Sequence, residues 1–457
     1  MNLIPSLYRY APVQTLFALL LIMLLASCGG GSSTSVTTDS NTTPPAPLPL
    51  PPTTNAVLTY LNTLRVAAGM ATYLPSTFLN DSATAHTNYL LTNNIMAHIE
   101  VFGAPGFTGL NADARALVAG YRSYGVAENI STNKGSGSEL IDSLMTAVYH
   151  RMSLLDFDKD ELGVGLVINQ PTTDGSMWSA LTTNSGFKAF NDICAQGGEV
   201  IQAGTYYHCN DNVSRVSANS NDVWLVTLRA KSLDVVVWPP AGGAVSPAFY
   251  EETPDPLPAC SVSGNPVSAQ VNPAFNSQIA LNKTSFTLTD MSTGLAVPLV
   301  QTLDNSVVQP DPLAASWTTP SKQWLSAFPT KRLNWGTTYR ASIDYTLNGT
   351  ATTKTWTFST HTLPKAPVVV TLPNTDITAT GQTQFVFYIP PGDCKASTMQ
   401  VNITAIGHVA PQINIDGIDP HTYIVTMTGA SEAAITFTQT GVLPGSLTHT
   451  RVVNLSL

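Results

Sequence analysis

The chain has 457 residues, enough for about three domains of about 150 residues each. Apolar residues make up 43%, which suffices for several buried cores, whereas charged residues make up only 11%, under half of the roughly 25% usual in soluble domains. The formal net charge is −9, from 20 basic and 29 acidic residues. Because no basic stripe is present, we expect no binding to nucleic acid through its phosphates.

The N-terminus contains one apolar run, Leu16–Ala26, which is preceded by Arg9. Eleven residues are too few to span a bilayer, which takes about 20, but they fit the core of a signal peptide. The run ends in Leu-Ala-Ser-Cys28, which resembles a bacterial lipobox. The resemblance implies a lipoprotein signal peptide over 1–27, a lipid on Cys28 and attachment to the membrane of the cell envelope. An ordinary signal peptide is the alternative.

Four cysteines remain after Cys28, and an even number in an oxidising envelope indicates disulfides. Cys194 and Cys209 are close in sequence and are expected to pair. Cys260 and Cys394 would be the remaining pair, although this link would join two different domains. No CxxC spacing supports metal binding by these thiols.

Residues 28–54 combine Gly and Ser with a later run of Pro, which predicts a flexible tether that ends in an extended spacer. At about 3.1 Å per residue, its reach is at most on the order of 80 Å. The sequence therefore predicts that the tether holds the following domain away from a lipid surface.

Residues 55–235 mix helical and strand-like patterns, which predicts an α+β domain. Apolar spacing predicts three helices, over Asn55–Gly69, Ser76–Asn93 and Ser138–Ser153. Two further runs, Leu162–Ile168 and Asp222–Thr227, are typical of strands.

The remaining residues lose the helical period and predict two all-β modules. Alternating residues flank Asn348-Gly349, which is a strong hairpin signal. Residues 241–362 are expected to form a small immunoglobulin-like β-sandwich. After a Pro-containing linker, alternating apolar residues predict a second β module over 365–457.

The α+β domain also contains a scattered polar cluster: His86, Met-Ala-His98, Ala-Glu128-Asn-Ile and Tyr-His150-Arg151. Neutral imidazoles suit zinc or a similar divalent cation, and a glutamate could polarise a bound water. Spacing alone leaves a functional site and an ordinary core both open, because these residues could meet only through the fold.

The succession LNTLR, ATAH, MAH, GFTG, GY, AENI, YHR and LGVGL resembles bacterial members of the CAP superfamily. This superfamily comprises cysteine-rich secretory proteins, antigen 5 and pathogenesis-related proteins, and the module is also called the SCP domain. The resemblance covers about residues 55–230. It implies an α-β-α sandwich with a cleft lined by two His and two Glu.

Residue by residue, the resemblance places His98, Glu128 and His150 in that cleft. The fourth position, a Glu in eukaryotic members, falls near Ala147, and no neighbouring carboxylate replaces it. The Trp that bacterial members carry on this helix is also absent. The resemblance therefore allows a metal held by His98, His150 and water, but it disfavours a mechanism that needs two carboxylates.

Two other motifs have a structural interpretation. His86 belongs to an apolar helical stripe, which favours a buried, hydrogen-bonded core histidine over a ligand. The run Asp156-x-Asp158-x-Asp160-Glu161 could suggest calcium, but it lacks the Gly turn and the distant Glu of a calcium loop, which favours solvated acids. No HExxH, G-x-S-x-G, GxGxxG or phosphate-binding loop is present.

The first functional hypothesis is an envelope-anchored binding module, which takes a lipid, a metal or a surface molecule in the cleft. In this hypothesis the β modules act as spacers or adhesive units. The alternative is a metal-dependent hydrolase of peptides or cell wall, in which His98 and His150 hold the metal and Glu128 activates water. A third possibility leaves adhesion to the β modules alone.

Overall fold

The computed structural model describes most of the chain from residue 52 onward, and these residues all belong to one compact unit. The described ranges are 52–170, 176–199, 205–211, 213–250, 252–253, 255–257, 262–304, 323–378, 382–391, 397–406, 412–428, 432–441 and 448–456. The predicted signal peptide, Cys28, tether residues 28–51, Cys260 and Cys394 lie outside them. None of the helices in these ranges combines the length and hydropathy of a membrane-spanning helix.

The N-terminal half of the described chain is an α+β domain. Its helices are α1 (Pro52–Ala68), α2 (Thr77–Asn93), α3 (Ala112–Val118), α4 (Gly137–Thr146), α5 (Val148–Leu154), α6 (Lys188–Ala195) and α7 (Ala218–Arg229). Its strands are β1 (Leu74–Pro75), β2 (Ala127–Thr132), β3 (Glu161–Ile168), β4 (Ser179–Gly186), β5 (Thr205–Tyr206) and β6 (Val216–Ser217). The main sheet has the order β1-β3-β4-β2, in which only the β1–β3 pair is parallel.

Two glycines allow α2 to pack directly on the sheet. A Cβ atom at Gly163 would lie 1.9 Å from the backbone carbon of Leu79, and one at Gly165 would lie 2.3 Å from the carbonyl oxygen of Ala83. Any larger side chain on this part of β3 would therefore push the helix away. This close contact fixes the position of His86, which α2 carries into the interior.

The predicted helix over Ser138–Ser153 is divided in two. Ser136 caps α4 by accepting a hydrogen bond from the Glu139 backbone N–H, and the chain leaves the helical conformation at Ala147 (φ −74°, ψ 126°). A new helix, α5, then begins at Val148. Because of this break, the first backbone N–H groups of α5 need partners from elsewhere in the fold.

The predicted strand over Asp222–Thr227 is wrong, because these residues lie in α7. Its apolar run is typical of a strand, but Val223 and Val226 are more than half exposed and only a narrow face with Leu228 is buried. The helix is initiated by Ser217, whose side chain accepts a hydrogen bond from the Ser220 backbone N–H. In the same region, Cys194 on α6 forms a disulfide with Cys209.

The α+β domain is followed by a β-sandwich, called the first sandwich below. Its strands are β7 (Val235–Trp238), β8 (Ala244–Val245), β9 (Ala248–Phe249), β10 (Ser263–Gly264), β11 (Val267–Val271), β12 (Ile279–Leu281), β13 (Thr287–Asp290), β14 (Leu299–Asp304), β15 (Trp324–Pro329), β16 (Thr338–Leu347) and β17 (Thr350–Thr360). One sheet has the order β14-β15-β11-β7, the other β12-β16-β17-β8 with β13 also on β16, and β9 pairs with β10. The sandwich thus includes β7, which precedes the predicted start at residue 241.

The hairpin predicted at Asn348-Gly349 is confirmed. Asn348 and Gly349 have positive φ values of 49° and 79°, and they connect β16 directly to β17. Two consecutive positive φ values match the twist of paired strands, and Asn and Gly are the residues that adopt them most readily.

The C-terminal module contains two four-stranded sheets. Its strands are β18 (Val368–Val369), β19 (Asn374–Thr378), β20 (Gln384–Tyr388), β21 (Ser397–Ile406), β22 (Gln412–Asp419), β23 (Thr422–Thr428), β24 (Glu432–Gly441) and β25 (Thr448–Ser456). The sheet orders are β18-β20-β23-β22 and β19-β25-β24-β21. Side chains such as Phe385, Phe387 and Phe437 form a core of their own.

The α+β domain and the first sandwich share one hydrophobic core. A single cluster of buried side chains extends from Leu61 and Leu144 through β7 to Phe358. Burial of apolar surface is the main stabilising term in folding, at about 25 cal/mol per Å². The relative position of these two parts is therefore maintained by a continuous core rather than by a linker.

We expect Gly163→Ala to destabilise the fold by about 1–3 kcal/mol, because the added methyl group overlaps the α2 backbone. Chemical denaturation of the full chain would measure the change. Gly135→Ala is the matched control, since its Cβ would meet only the flexible Glu139 side chain, 3.2 Å away. Equal stability of the two variants would contradict the close packing.

A second prediction concerns Glu161, which is buried at the start of β3 and accepts a hydrogen bond from the Tyr121 hydroxyl at 2.7 Å. Burial raises the pKa of Glu161 from 4.5 to about 7. The folded state therefore binds the proton more tightly than the unfolded state. The bound proton on Glu161 therefore stabilises the folded state fully below pH 4.5, and this stabilisation is lost as the pH rises to about 7.

We expect Glu161→Gln to remove about 3 kcal/mol of this pH dependence. The measurement is the free energy of unfolding of both proteins between pH 4 and 8. As the pH rises, the free energy of unfolding of the wild type should fall relative to that of the variant. Parallel curves would show that Glu161 titrates normally.

Candidate functional site

The inner part of the site is a buried pair on α2 and the loop that follows it. His86 is fully buried; its Nδ1 lies 2.8 Å from Glu100 Oε1 and its Nε2 lies 3.0 Å from the Ala97 carbonyl oxygen. The prediction that His86 is a hydrogen-bonded core residue is confirmed. Glu100 Oε2 also accepts hydrogen bonds from the backbone N–H groups of Thr108 (2.6 Å) and Gly109 (3.2 Å). Glu100 thus ties the GFTG turn to α2.

Arg115 on α3 connects two buried carboxylates. Its Nη2 donates to Glu128 Oε2 at 2.6 Å, and its Nε lies 3.7 Å from Glu100 Oε1. Both terminal nitrogens also lie 3.2 Å from the carbonyl oxygen of His98. Sequence reasoning missed Glu100 and Arg115, and it did not predict α3, which carries Arg115 into the interior beside Ala116.

Glu128 and His98 form the part of the site that reaches the surface. Glu128 is carried by β2, and its Oε1 lies 3.0 Å from His98 Nδ1. The Glu128 side chain is 3% exposed, whereas that of His98 is 54% exposed. The structure therefore brings these two predicted residues together, with the carboxylate inside and the imidazole outside.

The electrostatics of Glu128 follow from these contacts. Burial alone would raise its pKa, but the hydrogen bond from His98 and the positive charges of His86 and Arg115 outweigh burial, so the pKa is lowered. Glu128 is therefore ionised at neutral pH, and a carboxylate at this site is an acceptor for His98 rather than a proton donor.

His150 has a different partner. Its Nδ1 lies 3.1 Å from Oε2 of Glu252, a residue of the first sandwich. The same carboxylate accepts hydrogen bonds from the backbone N–H groups of Val148 (2.6 Å) and Tyr149 (3.0 Å). Glu252 thus supplies a carboxylate to α5, where the sequence has none near Ala147. Sequence reasoning could not find it, because it comes from 102 residues further along the chain.

A cavity of about 770 Å³ lies beside His98 and Glu128. The α+β domain lines it with residues that include Tyr149, and the first sandwich contributes Gln270, Gln323 and Trp324 among others. Tyr149 and Trp324 contact each other edge to face, with ring centroids 6.4 Å apart. The cavity is therefore formed by two parts of the chain, and its lining includes aromatic and amide groups as well as His98.

The metal-binding prediction for His98 and His150 stays a prediction. Among the residues with described coordinates, no group of three or more His, Cys, Asp or Glu side chains is placed to hold a metal. His98 and His150 pair with separate carboxylates, and the guanidinium of Arg115 lies 2.6 Å from Glu128. Glu128 is therefore already paired with a cation of the protein.

The acidic run after α5 does not converge on one point either. Asp158 pairs with Arg229 at 2.6 Å, the Asp160 carboxylate accepts the Lys188 backbone N–H at 2.8 Å, and Glu161 accepts the Tyr121 hydroxyl. Each of these three carboxylates therefore has a partner within the fold, and the prediction of solvated acids is wrong for Glu161, which is buried.

Comparison with known proteins gives weak likenesses. No family model and no curated protein matches the chain. Similar solved structures include an extracellular protein with an SCP domain from Bacillus anthracis, at 19% identity and a TM-score of 0.25, over 31% of this chain and 45% of that one. An endo-fucoidan hydrolase of glycoside hydrolase family 107 matches at 11% identity and a TM-score of 0.17, over 65% of this chain and 38% of that one.

Another similar structure contains immunoglobulin domains. The Ig1-2 module of the Drosophila receptor protein tyrosine phosphatase DLAR matches at 13% identity and a TM-score of 0.12, over 42% of this chain and 88% of that one. The chain spans less than half of the SCP-domain protein and of the hydrolase. At these scores the likenesses carry no argument about function.

We expect Arg115→Met to destabilise the chain by about 3–5 kcal/mol, because it removes a buried guanidinium that contacts both Glu100 and Glu128. Lys188→Met is the matched control, since its ion pair with Asp192 is about half exposed and should contribute about 1 kcal/mol or less. Urea denaturation of both variants would measure the difference. A similar loss in both would show that Arg115 is not essential to the network.

Proposed function

We propose that this chain is an envelope-anchored bacterial lipoprotein whose α+β domain is of the CAP type and binds a largely apolar ligand beside His98 and Glu128. The Leu-Ala-Ser-Cys28 motif supports the lipid anchor, and the ordered motifs from MAH to LGVGL support the CAP assignment. The expected location is the cell envelope, at the outer membrane in a Gram-negative cell. The paired sheets of the β modules suit immunoglobulin-like units.

The observation that carries this proposal is the cavity beside a charge network that is already paired. Glu128 accepts hydrogen bonds from His98 and Arg115, so its charge is balanced within the protein. The cavity wall includes Tyr149 and Trp324. Ligand sites are typically cavities with mostly apolar walls and a few polar groups that fix orientation. We therefore infer binding, with His98 as the polar group that contacts the ligand.

In this proposal the first sandwich is part of the binding site and not only a spacer. It supplies Gln270, Gln323 and Trp324 to the cavity, and Glu252 fixes the start of α5, which carries Tyr149. Ligand selection would therefore depend on residues outside the α+β domain. Adhesion by the β modules alone would leave this shared cavity without a role.

The metal-dependent hydrolase is the weaker alternative. It requires Glu128 to activate a water molecule while His98 and His150 hold zinc. Both Glu128 oxygens already accept hydrogen bonds, and His150 is paired with Glu252. No specific contact favours catalysis, so we place the function in ligand binding.

We expect Ala112→Trp to weaken ligand binding at least tenfold, about 1.4 kcal/mol, because Ala112 lines the cavity and is partly exposed. A large side chain there would fill the space without removing any contact of the network. The probe is Nile red, an uncharged dye whose emission shifts to the blue in apolar surroundings. The full chain should bind it saturably, with one dye per chain.

Val118→Trp is the matched control, because it lies on the same helix, α3, and is 71% exposed, away from the cavity. It should bind the dye like the wild type. Equal binding by both Trp variants, or no saturable binding by the wild type, would overturn the proposed site. One-to-one zinc binding that is lost with His98→Ala and His150→Ala would instead favour the metal-dependent alternative.

A further inference from the structure

A second cavity, of about 850 Å³, lies between the first sandwich and the C-terminal module. The first sandwich lines it with Lys331, Arg332 and Trp335, the connecting segment with Lys365, and the C-terminal module with Tyr388. It shares no lining residue with the cavity beside His98. The two cavities therefore have independent walls.

The charge of this cavity is opposite to that of the whole chain. The chain has only 20 Lys and Arg against 29 Asp and Glu, yet three of these cations line the cavity. Among the described lining residues there is no Asp or Glu. A fourth cation, Arg451, donates to the carbonyl oxygen of Pro390 at the cavity wall, at 2.9 Å. Like charges repel, so such a gathering is unfavourable unless an anion offsets it.

Arg332 is held rigidly at this point. Its side chain is only 10% exposed. Its guanidinium carbon lies 4.1 Å from the ring centre of Tyr388 and 4.8 Å from that of Trp335. Contacts of a guanidinium with two aromatic rings are favourable and fix the plane in which its N–H groups lie. A donor group that is ordered in advance loses less conformational entropy when it binds an acceptor.

The protein's own groups balance Arg332 only in part. Asp419 Oδ2 lies 3.6 Å from Arg332 Nη2, while Asp419 Oδ1 accepts hydrogen bonds from the Tyr250 hydroxyl and the His421 backbone N–H, both at 2.8 Å. Within the described residues, Nε of Arg332 and Nε1 of Trp335 have no hydrogen-bond partner, whereas Nη2 of Arg332 faces Asp419 Oδ2, which has no other donor. Buried donors without acceptors are unfavourable, and those left here belong to residues of the cavity wall.

We propose that this cavity binds an oxyanion, namely a carboxylate, sulfate or phosphate group, with Arg332 as its central contact. The wall offers ammonium, guanidinium and indole N–H donors, and such groups need an acceptor that also carries negative charge. Guanidinium matches the geometry of these oxyanions and can bind them through two parallel hydrogen bonds. Lys331 and Lys365 are exposed and add long-range attraction.

The oxyanion can come from a free inorganic ion or from an acidic saccharide, and the probes separate these sources. Inorganic phosphate, inorganic sulfate and trigalacturonic acid are titrated into the full chain by calorimetry, with maltotriose as the uncharged saccharide. We expect saturable binding of at least one anion, with one site per chain, and none of maltotriose. The anion that binds most tightly identifies the source.

The variant is Lys331→Gln with Lys365→Gln, because both side chains are exposed and their loss leaves the packing of Arg332 intact. We expect it to weaken anion binding about tenfold. Lys134→Gln with Lys354→Gln removes the same charge outside the cavity lining and should bind like the wild type. Equal weakening by both pairs, unchanged binding in the first pair, or no anion binding by the wild type would each overturn the proposal.

Discussion

Two carboxylates, Glu100 and Glu128, are buried within reach of one guanidinium, that of Arg115. An unpaired charge in a protein interior carries a desolvation penalty of several kcal/mol, and for Glu128 this penalty is offset by His98, His86 and Arg115 together. The same guanidinium also binds the backbone carbonyl of His98. The orientation of the exposed His98 imidazole therefore depends on the buried Arg115 guanidinium.

His150 is likewise held by a buried ionic group, but this group belongs to the first sandwich. The break at Ala147 leaves the first N–H groups of α5 without helical partners, and Glu252 accepts two of them together with a hydrogen bond at His150. An anion at a helix N-terminus is favoured by the helix dipole as well. This one carboxylate joins the α+β domain to the first sandwich beside the Tyr149–Trp324 contact, so the shape of the cavity depends on the interface between them.

Structural features that depend on residues close in sequence could be predicted, whereas contacts between residues distant in sequence could not. Helices α1 and α2 and the Asn348-Gly349 hairpin follow from local spacing and turn chemistry. The strand predicted over Asp222–Thr227 is wrong because the cap at Ser217 and the burial of Leu228 outweigh the preference of the apolar run. Arg115 and Glu252 could not be predicted at all, because their roles depend on which remote carboxylate or helix end the fold places beside them.

The contact between His98 and Glu128 was expected from the family resemblance, whereas spacing alone left it open. The fourth position shows the limit of such transfer. The resemblance implies a carboxylate on the helix before His150, where the chain has none near Ala147, and the carboxylate beside His150 is that of Glu252 in the first sandwich. The resemblance located the His98–Glu128 half of the site, and the long-range contacts of this particular chain determine the other half.

With only 11% charged residues, the places where charges gather are informative about function. Around Arg115 the charges are of opposite sign, buried and hydrogen-bonded to one another, which is the arrangement that stabilises a fold and orients a side chain. Around Arg332 the lining charges are of one sign and two of them are exposed, and the one carboxylate beside Arg332, that of Asp419, lies 3.6 Å away outside the lining. A network of paired opposite charges needs no ligand, whereas a cavity lined by like charges is stabilised by a counter-ion. We therefore expect an anion in the cavity beside Arg332 but not in the cavity beside His98.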